Sequence, residues 1–291
     1  MALVSMKEIL EDARKRNYAV GCFNAVNLDM TRGVLEAAEE LQAPVILCHA
    51  EVHFKYTPLE KIAPILVNEA RMAKVPVALL LDHGKSFSAI VKAMHLGFNA
   101  VMYDGSDLPF EQNAENTKEV VRIARALDVS VEAELGHVVR PKSAGADGDE
   151  DDSTAGDESF YTRPDQAYEF VNRTDVDALA VAFGTAHGVY LKKPVLDLQR
   201  LAQIRDAVPV PLVMHGGSGL EEADFKNSIS AGITKINYYT GMAKYAAEKI
   251  KEKLNSEDGI LLYHNVMMDA IRAIKEDVIK AMELFGCEGK A

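Results

Sequence analysis

The chain has 291 residues, of which 48% are hydrophobic and 26% are charged, and its formal net charge is −12. This length suits two average domains or one α/β barrel. The acidic balance argues against nucleic-acid binding, which needs a basic face, and no apolar stretch reaches the roughly 18 residues of a membrane helix. Three scattered cysteines, and a charged amphipathic N-terminus in place of a signal peptide, predict a reduced, cytoplasmic protein.

Strand-like and helix-like segments alternate along the first half of the chain. Hydrophobic residues at helical spacing predict a helix at 6–16, and Asp29 and Ser86 are the predicted N-terminal caps of two later helices. Continuous apolar runs predict strands that are buried on both faces, as in a parallel sheet. The strands of this half are predicted at 19–24, 44–48, 77–83, 100–105 and 129–136, and the later helices begin near 29, 58, 86 and 109.

The alternation stops at 138–161, a polar segment rich in Gly, Asp and Ser. A stretch of this length inside a compact domain is usually a functional lid or is disordered, so we predict a mobile acidic loop at the active site. Strands are predicted again at 178–183, 212–215 and 235–240, with helices at 163–173, 195–208, 221–231 and 242–254 and one or two more within 267–285.

Eight such βα units with no domain-scale linker predict a single (β/α)8 TIM barrel over residues 1–291, with extra terminal helices. The alternative is an open doubly wound sheet. No dinucleotide-binding glycine fingerprint follows any predicted strand, which favours the barrel.

Three histidines, each followed by a glycine, stand at or just after the ends of three predicted strands. They are His83, His187 and His215. The C-terminal ends of barrel strands meet at one mouth, and three imidazoles with an open fourth position there are typical of catalytic zinc. Co²⁺ or Fe²⁺ would also accept such ligands, and a hydrogen-bonded polar cluster is the alternative. His95 and His264 lie outside this pattern and are interpreted as structural or surface residues.

Carboxylates accompany these histidines at the strand ends. Asp82 precedes His83 and is either a general acid–base beside the metal or a partner that orients a metal-bound histidine. Asp104 and Glu134 end the fourth and fifth strands, where they either bind a second cation, Zn²⁺ or a monovalent ion, or hydrogen-bond the histidines. Glu132 would share the face of Glu134, and we prefer Glu134 because it lies nearer the loop.

A glycine-rich turn, Gly216-Gly217-Ser218-Gly219, follows the seventh predicted strand. Its backbone N–H groups and the N-terminus of the next helix form a candidate anion site. The end of the eighth strand, 237–240, would form the opposite wall, and barrels often hold phosphate after these two strands. The motif alone is usually only a turn, so its position in the barrel is what predicts phosphate binding.

With these motifs in view, the chain resembles the class II, zinc-dependent ketose-bisphosphate aldolases, which include fructose-bisphosphate and tagatose-bisphosphate aldolases. The resemblance covers nearly the whole chain and depends on Phe23-Asn24, Asp82-His83-Gly84, Asp104-Gly-Ser106, Glu132-Ala-Glu134-Leu-Gly136, Gly184-Thr-Ala-His187-Gly188, His215-Gly-Gly-Ser218 and Asn237-x-x-Thr240. It implies that His83, His187 and His215 bind zinc, that Asp82 moves the proton of the C4 hydroxyl, and that Asp104 and Glu134 form a second cation site. It also implies substrate contacts by Asn24, Gly188, Gly216, Gly217, Ser218, Asn237, Tyr238, Tyr239 and Thr240.

The reaction implied by the resemblance is reversible cleavage of a ketose 1,6-bisphosphate into dihydroxyacetone phosphate and an aldehyde such as glyceraldehyde 3-phosphate, through a zinc-stabilised enediolate. Fructose 1,6-bisphosphate is favoured over tagatose 1,6-bisphosphate. A homodimer or homotetramer is expected on the same basis. The alternatives of another class are a metal-dependent hydrolase and a non-catalytic barrel that binds sugar phosphates.

Two departures from the family pattern concern the loop and the aldehyde half of the site. In the family, a glutamate of the acidic loop moves a proton at C3, and Glu150 matches it best, although extra residues at 139–143 precede it. The second strand ends at Ala50, where relatives commonly have a serine that faces the aldehyde. The ketone-phosphate half therefore looks intact and the aldehyde half altered.

Overall fold

Parallel strands form a closed barrel in this protein, whose computed structural model describes residues 2–140, 157–188, 190, 194–256 and 262–291. The strands are β1 (Val20–Asn24), β2 (Val45–Ala50), β3 (Val77–Gly84), β4 (Ala100–Tyr103), β5 (Ser130–Leu135), β6 (Ala178–Val181), β7 (Leu212–Met214) and β8 (Ile233–Tyr238). They pair in sequence order, and β8 pairs with β1 to close the sheet. All residues of β1 to β7 are buried, as expected for parallel strands covered by helices.

Helices connect the strands and surround the barrel. They are α1 (Met6–Arg16), α2 (Leu28–Leu41), α3 (Leu59–Met72), α4 (Phe87–His95), α5 (Phe110–Arg125), α6 (Pro164–Thr174), α7 (Leu198–Ala207), α8 (Glu222–Ala231), α9 (Thr240–Ser256) and α10 (Tyr263–Phe285). Short 3-10 helices lie at Glu51–Lys55 and Glu158–Phe160. A helix follows each strand, which confirms the predicted (β/α)8 barrel. None of the described helices is both long and apolar enough to span a bilayer.

The two ends of the chain add helices to the barrel. Before α1, the Val4 N–H donates to the carbonyl of Val77 at the start of β3 (2.9 Å), and the Asn99 side chain donates to the Val4 carbonyl (2.7 Å). The helix α10 is continuous and packs on α2 at Gly33, where a Cβ would lie 2.6 Å from Cγ2 of Ile274. These contacts attach the N-terminal segment to the start of β3 and α10 to α2.

One predicted helix cap is wrong. The side chain that caps α2 is Asn27, whose Oδ1 accepts a hydrogen bond from the Met30 N–H at 2.9 Å. Asp29 lies in the first turn instead, where its charge interacts favourably with the helix dipole. Ser86 caps α4 as predicted and accepts a hydrogen bond from the Ala89 N–H at 3.1 Å.

Candidate active site

A cleft of about 470 Å³ lies beyond the C-terminal ends of the strands. Most residues proposed for the site from the sequence line it, namely Asn24, Asp82, His83, His187, Gly188, His215, Gly216, Gly217, Ser218, Asn237, Tyr238, Tyr239 and Thr240. Asp104 and Glu134 are buried behind His83. Residues 141–156, which include the predicted Glu150, lie outside the described residues.

Asp82 and His83 both face this cleft, although neighbours on a strand normally point to opposite faces. The backbone explains the exception. His83 has a φ of +45°, in the left-handed region, and the pairing of β3 with β4 shifts register between Leu81 and Gly84. Holding the backbone of a non-glycine residue in this conformation costs about 1–3 kcal/mol, and such strain is concentrated at functional sites. The strain places a carboxylate and an imidazole side by side.

The three histidines form one cluster. His83 Nε2 and His215 Nδ1 are 2.8 Å apart, and the ring centroids of His83 and His187 are 5.0 Å apart. One nitrogen of each ring lies within 4.8 Å of the others. His187 Nε2 is buried and has no hydrogen-bond partner among the described residues. A metal ion with bonds of about 2.0–2.1 Å would satisfy such an orphaned nitrogen, so this donor set fits Zn²⁺.

The remaining ring nitrogens fix how two of these imidazoles are oriented. His187 Nδ1 lies 3.1 Å from the carbonyl oxygen of Val138, and His83 Nδ1 lies 2.8 Å from Asp104 Oδ2. Donation from Nδ1 leaves the lone pair on Nε2, as a metal ligand requires. Burial lowers the pKa of His187 well below its ordinary value and also lowers the pKa of His215. These rings are therefore neutral, which is the form that binds metals.

Two side-chain amides hold the carboxylate of Asp82. Asn24 Nδ2 donates to one oxygen at 2.7 Å, and Asn237 Nδ2 donates to the other at 2.9 Å. Burial by itself raises the pKa of this carboxyl, but interactions with the His83 ring and with Lys235 hold the pKa below its ordinary value. Asp82 is thus an ionised, oriented proton acceptor at the base of the cleft.

Two further residues belong to the site: Glu132, to which Glu134 was preferred, and Lys235, which was not predicted to belong to it. Glu132 Oε1 lies 3.1 Å from His215 Nε2, and its other oxygen lies 2.9 Å from Lys235 Nζ. Lys235 Nζ also donates to Asn237 Oδ1 at 2.6 Å, so it orients an amide that holds Asp82. A lysine inside an otherwise buried strand was the available signal, because such a charge needs a buried partner.

A second group of possible metal donors lies behind the first. His83, Asp104 and Glu134 each offer one atom within 4.8 Å of the others. Glu134 Oε2 is buried without a hydrogen-bond partner among the described residues, and burial and the charge of Asp104 raise the pKa of Glu134 well above its ordinary value. Burial also acts to raise the pKa of Asp104, but the His83 hydrogen bond helps to hold it well below its ordinary value. Arg140 Nη2 lies 3.3 Å from Asp104 Oδ2.

The glycine-rich turn lies against the start of α9. Ser218 Oγ accepts a hydrogen bond from the Gly241 N–H at 3.1 Å, which joins the turn to the first turn of the helix. Gly216 has a φ of +72°, and a Cβ there would lie 2.4 Å from the Ala186 carbonyl oxygen. Only glycine fits this position. Backbone amides and the N-terminus of a long helix give this end of the cleft the features of a phosphate site.

Another part of the cleft wall contains aromatic rings. The Tyr239 and His53 ring centroids are 4.4 Å apart, and both residues line the cleft together with Ala50. The Tyr238 hydroxyl instead donates to Asp277 Oδ2 of α10 at 3.0 Å. The Tyr238 hydroxyl therefore contacts α10, whereas the Tyr239 ring packs on His53 in the cleft.

Comparison with known proteins decides the family. The model of the class II fructose-bisphosphate aldolase family matches residues 4–290. This chain belongs to that family. It is 41% identical over 280 residues to the uncharacterized protein YdjI of Escherichia coli (strain K12), covering 96% of each chain, and 40% identical to a probable fructose-bisphosphate aldolase of Bacillus subtilis (strain 168), covering all of both chains.

Solved structures agree with the family assignment. The crystal structure of the YdjI aldolase from Escherichia coli K12 matches with a TM-score of 0.85 and 36% identity, covering 99% of both chains. The resemblance inferred from the motifs is confirmed, and the chain is an enzyme of the aldolase class of lyases.

Proposed function

We propose that this protein is a zinc-dependent aldolase that reversibly cleaves a ketose 1,6-bisphosphate into dihydroxyacetone phosphate and an aldehyde, with fructose 1,6-bisphosphate as its first substrate. The observation that carries the proposal is that one cleft contains the three histidines, Asp82 and the glycine-rich turn. The name of the Bacillus subtilis relative supports the choice of sugar. Tagatose 1,6-bisphosphate, which differs at C4, is the alternative substrate.

His83, His187 and His215 are the residues that would hold the zinc ion. Such an ion supplies Lewis-acid stabilisation of the negative charge that the ketone fragment carries when the C3–C4 bond breaks. Burial favours the neutral form of His187 and His215. The carbonyl of Val138 orients His187, and Asp104 orients His83. A backbone carbonyl and a carboxylate thus set the direction of these two ligands, as is usual at metal sites.

Asp82 takes the proton of the C4 hydroxyl as the C3–C4 bond breaks, which lets the aldehyde leave, and it returns the proton in the condensation direction. Its two oxygens accept hydrogen bonds from Asn24 and Asn237. This arrangement supports the acid–base role over a role in orienting a histidine. Lys235 and Asn237 act as positioning residues, since they fix the carboxylate without reaching the reacting atoms.

The remaining roles are binding of the phosphate, movement of the proton at C3 and contact with the aldehyde. Gly188, the turn 216–218 and the start of α9 bind the phosphate of the ketone half, where helix dipole and amides favour an anion. Glu150 moves the proton at C3, as the family resemblance implies. Ala50, which lines the cleft, is assigned to the aldehyde half and influences which aldehyde is accepted.

The test is a screen of ketose bisphosphates with zinc-loaded protein, in which triose phosphate release is followed by a coupled dehydrogenase. We expect cleavage of fructose 1,6-bisphosphate that disappears in EDTA and returns with Zn²⁺ or Co²⁺. Release of inorganic phosphate alone would indicate a hydrolase, and binding without turnover would indicate a sugar-phosphate sensor. Cleavage that persists after the metal has been removed would overturn the metal mechanism.

A further inference from the structure

Arg140 lies beside the second group of possible metal donors, and the aldolase mechanism above gives it no role. Its Nη2 atom lies 2.9 Å from His83 Nδ1 and 3.3 Å from Asp104 Oδ2. These two residues, with Glu134, are the ones that offer ligands to a second cation. The Arg140 side chain is 17% exposed and that of Asp104 is 2% exposed, so the ion pair is largely removed from solvent.

The position of the guanidinium conflicts with a metal ion in the same place. Zinc and magnesium bind carboxylate oxygens at about 2.0–2.2 Å, and Nη2 lies 3.3 Å from Asp104 Oδ2, so an ion bound to that oxygen would lie within about 5.5 Å of Nη2. Two cations this close in a buried site repel each other strongly, because little solvent separates them. Arg140 and a second metal ion therefore exclude each other.

The chemistry of His83 leads to the same conclusion. His83 belongs to both groups of donors, yet a neutral imidazole has a lone pair on only one nitrogen. When Nε2 binds the first ion, Nδ1 keeps its proton and donates it to Asp104 Oδ2 at 2.8 Å. The approach of Arg140 Nη2 to Nδ1 is therefore a contact between two donors, and of these two residues Asp104 is the hydrogen-bond partner of Arg140. The second group then lacks its nitrogen ligand, while Arg140 Nη2 already lies 3.3 Å from Asp104 Oδ2. Arg140 therefore places a positive charge where the second ion would lie.

We propose that Arg140 is a built-in second cation, so that the protein binds one divalent ion per chain, at the three histidines, and none at Asp104 and Glu134. The second ion that the family resemblance implies is replaced by the side chain of Arg140, which belongs to the segment 139–143 that is extra relative to the family pattern. This inference rests on the zinc site of the proposed function but not on the identity of the sugar.

The experiment counts metal per chain. Metal-free protein is dialysed against buffered Zn²⁺ or Co²⁺, and the bound metal is measured by mass spectrometry. We expect one equivalent in the wild type and two in Arg140→Ala, the second being the weaker. The double variant Arg140→Ala/Glu134→Gln should return to one equivalent, which would locate the additional ion. Arg163→Ala removes an exposed arginine that pairs with Asp165 and should keep one equivalent.

Two equivalents in the wild type would overturn the inference, and so would a single equivalent in correctly folded Arg140→Ala. The number of metal ions bound per wild-type chain is measured without any variant, so it tests the inference even if Arg140→Ala fails to fold. Since metal is counted without turnover, one ion per chain in a protein that cleaves no ketose bisphosphate would contradict the proposed substrate alone. No bound metal would contradict both proposals.

Discussion

Lys235 and Glu132 form an ion pair inside the barrel, with 2.9 Å between Nζ and Oε2, and neither side chain is exposed to solvent. The pair reaches two parts of the site, since Glu132 also faces His215 and Lys235 also donates to Asn237. A buried pair contributes little net stability, but breaking one is costly. Its main effect is therefore to fix the orientation of His215, a candidate metal ligand, and of Asn237, whose amide holds Asp82.

Removal of one partner of this ion pair should destabilise the folded protein more, per side chain removed, than removal of both partners. Glu132→Gln leaves a buried ammonium unpaired, and Lys235→Met leaves a buried carboxylate unpaired, so each should lose about 3–5 kcal/mol in the free energy of unfolding. The double variant should lose less than the sum, by about 1–3 kcal/mol. Urea denaturation of all four proteins at one fixed metal concentration measures this coupling. Additive losses would mean that the two side chains act independently.

The same pair predicts a pH dependence. Burial acts to raise the pKa of Glu132, but Lys235 and His215 hold it below its ordinary value. Burial acts to lower the pKa of Lys235, but nearby groups, Glu132 among them, raise it above its ordinary value. The contribution of Glu132 is thus present above its unfolded pKa of about 4.3 and is lost as pH falls further, and that of Lys235 is present below about 10.4 and is lost as pH rises.

The difference in unfolding free energy between the wild type and Glu132→Gln/Lys235→Met should therefore stay flat from about pH 5 to 9 and decrease at more acidic pH. Thermal or urea unfolding across this range measures it. The comparison with the double variant cancels the titration of groups that both proteins share. A difference that grows as the pH falls below 4 would contradict the assigned direction for Glu132.

Asp82→Ala should lower kcat by about 10²- to 10⁴-fold, because the C4 hydroxyl loses its proton acceptor. The zinc content should not change, because the described contacts of the Asp82 carboxylate oxygens are to Asn24 and Asn237. Steady-state kinetics and metal analysis on the same preparation test both statements. Asp107→Ala, which removes a half-exposed acid paired with Lys85, is the control. Loss of zinc in Asp82→Ala would instead assign it an orienting role.

His215→Ala should abolish the stabilisation that zinc gives to the folded protein. An ion that binds only the native state at about 1,000 times its Kd adds about 4 kcal/mol, so the Tm of the wild type should rise when zinc is added. His95→Ala removes an exposed histidine at the end of α4 and should keep the full rise. Thermal scans with and without zinc measure it. Equal zinc-dependent shifts in both variants would exclude the three-histidine site.

Gly216→Ala should weaken both folding and substrate binding. A left-handed φ costs about 1 kcal/mol for a residue with a Cβ, and here the Cβ also meets the Ala186 carbonyl at 2.4 Å. Gly289 has a similar φ of +65° with nothing within 4 Å, so Gly289→Ala carries the conformational cost alone. The larger loss of Tm, together with a raised KM, should occur only in Gly216→Ala. Equal effects would mean that the turn can move away from Ala186.

The barrel itself was predictable because its signals are local. The apolar run that becomes β3 and the helical spacing before and after it are read from neighbouring residues. Choices between equivalent residues were not predictable. Asn27 and Asp29 have similar capping preferences, and only the observed backbone selects Asn27. Glu132 and Glu134 share one face of β5 at period two, so the sequence does not show which of them meets His215.

The sequence by itself determined which side chains stand at the ends of the strands, since strand periodicity and strand ends are local properties of the chain. The tertiary structure decided how those side chains meet. Regular alternation would have put Asp82 and His83 on opposite faces, but the register shift against β4 and the left-handed backbone of His83 bring both into the cleft. Arg140 reaches Asp104 only because the segment after β5 passes over the end of β4, a contact between residues 36 apart in the chain. Distances of this kind depend on how the whole barrel closes, and no local pattern contains them.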